Sequence, residues 1–162
     1  MKFLQQVQLI QGGMGVYVSN WRLAKAVASE RPGITAGTVS GTGLDIVHIR
    51  LLQLGDPGGH IRRAMAAFDA QFGVHTGQKI VENYFIEGGK APQARYKNSP
   101  QHSVRAKVGG KIIPASAQPA MPVELEMEEE VIEILIATAY CEVWLAKQGH
   151  DGLIFINFLN KV

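Results

Sequence analysis

Three short runs of apolar and β-branched residues, 7–10, 34–39 and 153–158, are separated by stretches with helical spacing. The first two lead straight into glycine loops, Gln11-Gly12-Gly13-Met14-Gly15 and Ser40-Gly41-Thr42-Gly43. This alternation predicts an α/β fold in which about three parallel strands are joined by helices that lie outside the sheet. Residues 153–158 are nearly all apolar, which predicts a parallel strand buried on both faces. In parallel sheets, open or closed into barrels, ligands bind at the carboxyl ends of the strands. That rule selects residues 11–14, 40–43 and 157–160. Glycine there lets backbone approach a flat or anionic ligand, and Gln11, Ser40, Asn157 and Asn160 add neutral hydrogen-bonding groups. No acid, base or nucleophile stands among them. Such a set suits a cofactor that brings its own chemistry.

The helices between the strands carry recognisable signals. Ser19 is the expected N-cap of a first helix through Trp21, Leu23 and Val27, with Val18 stapled onto Leu23, and Arg31-Pro32-Gly33 ends it. Leu44, Val47, His48, Leu51 and Leu52 share one face of a second, begun by Thr42 and Asp45 in the manner of a capping box. A third runs from about 60 to 69 with Ile61, Ala64, Met65 and Phe68 inward, and a short fourth covers 80–85. The strongest spans about 126–148, with Val131, Leu135, Thr138, Cys141 or Glu142, and Leu145 inward and Gly149 as its cap. Five of the seven prolines fall between 88 and 122, which predicts a long, partly irregular excursion in an otherwise single domain.

Composition excludes several classes of function. The formal charge is only +2, and the basic residues form no stripe interleaved with aromatics, so a nucleic-acid partner is not expected. No run reaches the length of about 18 apolar residues that a membrane helix needs, and 1–10 lacks the apolar core of a signal peptide. The single cysteine, Cys141, fits a reducing compartment, and the expected location is cytoplasmic.

Several segments together resemble a known family. Ile10-Gln11-Gly12-Gly13-Met14-Gly15 is similar to the first-strand signature of the nitronate monooxygenases, also called 2-nitropropane dioxygenases, and Val39-Ser40-Gly41-Thr42 to the turn after their second strand. Residues 55–64, 84–90 and 142–152 resemble one bacterial subgroup, which is also similar to stand-alone enoyl reductases of polyketide and polyunsaturated-fatty-acid synthases. The resemblance covers most of 7–97 and 126–161. Gln8 stands where the family usually has proline, and 98–121 is unlike it. The resemblance implies the N-terminal portion of an FMN-binding (β/α)8 TIM-type barrel, incomplete because the family's phosphate-binding glycines and usual catalytic histidine would fall beyond Val162. It implies that Gln11, Gly12, Gly13 and Met14 lie against the flavin, with Ser40 and Gly41 at the same mouth and Asn157 reaching from the third strand. The implied activity is flavin-dependent oxidation of alkyl nitronates with O2 to a carbonyl compound and nitrite. Enoyl reduction stands as the alternative within the enzyme class. Outside it stands a non-catalytic barrel segment that self-associates or needs a complementary chain.

Other chemistry-bearing residues read as structural. The glycines lack a G-x-G-x-x-G dinucleotide fingerprint. Residue by residue, Gln11-Gly12-Gly13-Met14 is equally a tight turn with a core methionine. His150-Asp151 precedes the third strand, on the stability face of a barrel. His60 is expected as a cap or surface group and His48 as a packing residue. His75 and His102 have no partners at metal-ligand spacing, so no metal site is expected. Cys141, mid-helix, is expected to be buried and inert.

Overall fold

The computed structural model describes residues 6–100, 105–108, 111–113, 124–126 and 129–158. In chain order the elements are β1 (Leu9–Ile10), α1 (Trp21–Glu30), β2 (Thr35–Ser40), α2 (Leu44–Gln53), α3 (His60–Phe72), α4 (Thr76–Tyr84), β3 (Arg105–Val108), β4 (Lys111–Ile113), β5 (Glu124–Glu126), α5 (Glu129–Lys147) and β6 (Leu153–Asn157). The fold is mixed α/β. β1, β2 and β6 form one parallel sheet in the order β1-β2-β6, with Ile10 opposite Ala36 and Ser40 opposite Asn157. The expected parallel trio is present.

The segment expected to be an irregular excursion also contains strands. β3 pairs antiparallel with both β4 and β5, giving a second sheet in the order β4-β3-β5. The prolines misled here because all five fall outside the three strands in sequence, where proline does not argue against a strand. The start of the excursion is anchored too. Buried Gln53 accepts from Lys97 N–H at 2.7 Å and donates to Lys97 O at 2.9 Å, a side chain imitating a strand partner.

Packing on the parallel sheet begins with small residues. Thr35, Gly37 and Val39 face α1, where Ala24 and Ala28 are fully buried. A Cβ on Gly37 would lie 2.0 Å from Ala24 O, and one on Gly152 2.1 Å from Ala28 O. The helix backbone therefore rests on the sheet only because both positions are glycine. α5 completes this layer, with Ala146 packed beside Val39, Ile154 and Ile156. The larger core lies between helices: Ile49 and Leu52 of α2, Ile61, Met65 and Phe68 of α3, Ile80 and Tyr84 of α4, and Ile134, Cys141 and Leu145 of α5.

Burial of the strands departs from expectation. β2 is buried along its length, but β1 is exposed and β6 is half-buried at every residue. A strand at a sheet edge has a neighbour on one side only, so apolar sequence alone does not make it a central strand. Among the described residues no helix is long and apolar enough to cross a membrane.

Several boundaries shift for identifiable reasons. Asn20, not Ser19, caps α1, its Oδ1 accepting from Arg22 N–H at 3.0 Å and Leu23 N–H at 3.3 Å. Val18 and Leu23 are both exposed, so they form no staple. α2 starts after Gly43, which is in a left-handed conformation and offers no side chain as a cap, and buried Asp45 accepts from Ser99 Oγ at 3.1 Å. α4 begins earlier than expected because Asp69, from α3, accepts from Gly77 and Gln78 N–H, each at 2.7 Å. α5 begins later because residues 124–126 are β5.

Candidate functional site

Parallel pairing brings the three selected loops to one end of the sheet. Asn157 Nδ2 donates to Gly13 O at 3.0 Å, linking the end of β6 to the loop after β1. Gly41 N–H donates to Asn157 O at 2.8 Å, linking β2 to β6. Gln11 Oε1 accepts from Thr38 N–H at 3.0 Å, linking the β1 loop to β2. Ser19 then braces the loop: its Oγ donates to Gly12 O at 3.3 Å and accepts from Gln11 Nε2 at 3.3 Å, while its carbonyl accepts from Ser40 N–H at 3.0 Å. Gln11, Gly12, Gly13, Ser40, Gly41 and Asn157 thus form one hydrogen-bonded constellation. Asn160 lies outside the described residues, as does His102.

Within this constellation the residues divide by what each of them holds. The amides of Gln11 and Asn157 are engaged by the chain itself, so they position the loops. Groups left to meet a ligand are backbone and hydroxyl. Among the described residues, the N–H groups of Gly12, Gly13 and Met14 donate to nothing, and Ser40 Oγ is buried without a hydrogen-bond partner. A buried polar atom without a partner is uncommon and marks a place where a partner belongs. Gly12 and Gly13 also differ. A Cβ on Gly12 meets nothing within 4 Å, whereas one on Gly13 would lie 2.5 Å from Thr38 Cγ2. Neither has a positive φ, so the loop does not require glycine for its backbone conformation. Met14 is 66% exposed, which removes the reading of it as a core methionine. Tyr17 is the only ionisable side chain among residues 11–20, so this loop is electrically neutral at neutral pH.

The histidines sort by geometry. His150 accepts from Gly152 N–H at 3.0 Å through Nδ1 and donates through Nε2 to Ala146 O, which ties the end of α5 to β6. His60 packs against Trp21 with ring centroids 5.2 Å apart. His48 has a stronger partner than sequence reasoning gave it. Its Nε2 is 2.8 Å from Glu142 Oε1, both side chains being 0% exposed, and Glu142 Oε2 accepts from Trp21 N–H at 2.7 Å. The carboxylate therefore ties α1, α2 and α5 together at the start of α1, where the helix dipole favours negative charge. His48 on an apolar helix face was the available signal. Burial of the Cys141 thiol, ahead of the neighbouring Glu142, pushes its pKa well above the ordinary value. Among the described residues no group of three His, Cys, Asp or Glu is arranged to hold a metal.

A further concavity among the described residues lies away from these loops. A groove of about 830 Å³ runs between α3 and α4, lined by Met65, Ala70, Val74, His75 and Val81 among others. Its polar wall includes Asp69, already engaged as the cap of α4. No protein-family model matches this chain, and no curated protein or solved structure matches it either.

Proposed function

We propose that this chain forms the opening strands of an FMN-binding (β/α) barrel of the nitronate monooxygenase type, with the flavin ring lying on the loops at the ends of β1, β2 and β6. One observation carries the reading. The sheet register gathers three separate loops into a single constellation whose unsatisfied groups are backbone N–H donors and a buried hydroxyl. Residues 10–15 and 39–42 are among the segments that carry the family resemblance.

The residues fit the cofactor in kind. A flat ring with carbonyl and ring-nitrogen acceptors needs a surface without protruding Cβ atoms and donors at its edge. Gly12 is open, and the N–H groups of Gly12, Gly13 and Met14 are available. Ser40 Oγ supplies a hydroxyl that donates or accepts. Gln11 and Asn157 hold the loops in register, so less ordering is left for ligand binding to offset. When bound, FMN supplies the redox chemistry by which a nitronate is oxidised with O2 to a carbonyl compound and nitrite. The protein's own part is orientation and exclusion of water.

FMN fluorescence titration tests this. The unaltered protein should quench FMN fluorescence in a saturable manner. Gly12→Val weakens the interaction at least tenfold, about 1.4 kcal/mol, with an unchanged thermal midpoint, since its side chain points into open space. Equal affinity in the folded variant contradicts the reading.

A further inference from the structure

We propose that the small cavity between the start of α1 and the start of α3 is a binding site for a carboxylate, either a small free acid or the acid end of a larger molecule. It measures about 150 Å³ and is lined by Tyr17, Trp21, Arg22, Asp56 and His60, with Leu51 and Ile61 beneath. That is about five water volumes, room for an ion of acetate or propionate size.

Its chemistry is one-sided. The Asp56 carboxylate lines the cavity but is fully engaged: Oδ1 accepts from Ile61 N–H at 3.1 Å, and Oδ2 from Arg62 N–H at 3.0 Å and Arg62 Nε at 3.4 Å. Arg22 is held in place without an acid. Its guanidinium sits 4.3 Å from the centre of the Trp21 ring, and Tyr17 lines the same cavity. Among the described residues it pairs with no carboxylate. Burial, ahead of nearby Glu142, raises the Tyr17 pKa, so the phenol remains a donor. His60 Nδ1 accepts from Arg63 at 3.0 Å, which leaves an Nε2–H donor on the ring lining the cavity. Donors thus remain available while the acceptor is used, and a planar guanidinium fork matches a carboxylate in both shape and charge.

Backbone conformation agrees. Tyr17 has φ 56° and Asp56 has φ 43°, and they are the two positive-φ non-glycine residues among the described residues. An aromatic residue in the left-handed region is strained, and such strain gathers where a side chain must be held in place. Both strained residues line this one cavity.

The test is a ¹H–¹⁵N titration of the whole chain with sodium acetate, with sodium chloride at matched ionic strength as reference. The Trp21 indole and the Arg22 side-chain resonances should shift saturably with acetate and not with chloride. Arg22→Gln, at an exposed position, should keep a dispersed folded spectrum and lose saturation. Arg22→Lys, which keeps the charge but not the fork, should bind at least several-fold more weakly. Absence of a saturable shift at Trp21, or the same shift in folded Arg22→Gln, overturns the proposal.

Discussion

Gly12 and Gly13 are sequence neighbours that tolerate opposite changes. At Gly13 a Cβ is blocked by Thr38, so Gly13→Ala should destabilise the fold by about 1–3 kcal/mol through overpacking, whatever its effect on a ligand. At Gly12 the space is open, and a substitution should move stability by no more than about 0.5 kcal/mol. Urea denaturation of both variants separates the two. The glycine motif marked this loop in the sequence, but which glycine faces open space depends on Thr38 of β2, a residue distant in the chain. The His48–Glu142 pair makes a second residue-scale prediction. Glu142→Leu strands both His48 and the Trp21 N–H in the interior and should cost about 3–5 kcal/mol. Adding His48→Leu to it should recover part of that loss, because no polar group of the pair then remains buried; a double variant no more stable than Glu142→Leu would contradict the coupling. His150→Ala removes two local bonds at the other end of β6 and should leave FMN affinity unchanged.

At the scale of elements, the buried face of α3 was legible, that of α2 only in part, and helix ends were not legible. In α2, Val47 and Leu51 are half-buried while Ile49 and Gln53 are buried. Ile61, Ala64, Met65 and Phe68 are all buried as their spacing requires, because that face of α3 meets one continuous core. For α5 the spacing left Cys141 and Glu142 as alternatives, yet both are fully buried. This helix contacts α1, α3 and the sheet on different sides, so its buried surface is wider than a single stripe. Ends moved where a cap came from far along the chain, as with Asp69 at α4. The seam between α1 and β2 was not legible, since glycine in a strand reads as weakness until a helix backbone is seen against it. Gly37→Ala places a methyl group 2.0 Å from Ala24 O and should force α1 off the sheet, costing about 3 kcal/mol; a thermal midpoint within a degree or two of the parent would refute this. Buried Cys141, its thiol held protonated, should resist a thiol reagent at neutral pH until the protein is unfolded.

For the whole molecule, the alternation of strands and helices specified the parallel sheet and hence the end at which the loops meet. It carried no information about the second sheet, whose strands are short and lack two-residue periodicity long enough to read. The parallel sheet presents exposed Ile10, Met14, Val16, Val18 and Phe158 around its edges and the end where the three loops meet. Apolar groups gathered in this way favour association. Sedimentation should therefore show concentration-dependent assembly that Ile10→Lys weakens, and a monomer that binds no hydrophobic dye would contradict it. The central claim is tested most directly by mapping FMN onto the backbone with ¹H–¹⁵N spectra up to millimolar FMN. The account predicts shifts at Gly12, Gly13, Met14, Ser40, Gly41 and Asn157, with Gly73, Gly77 and Val81 of the α3–α4 groove unmoved. Shifts at the groove instead, or none at the strand ends, would contradict it.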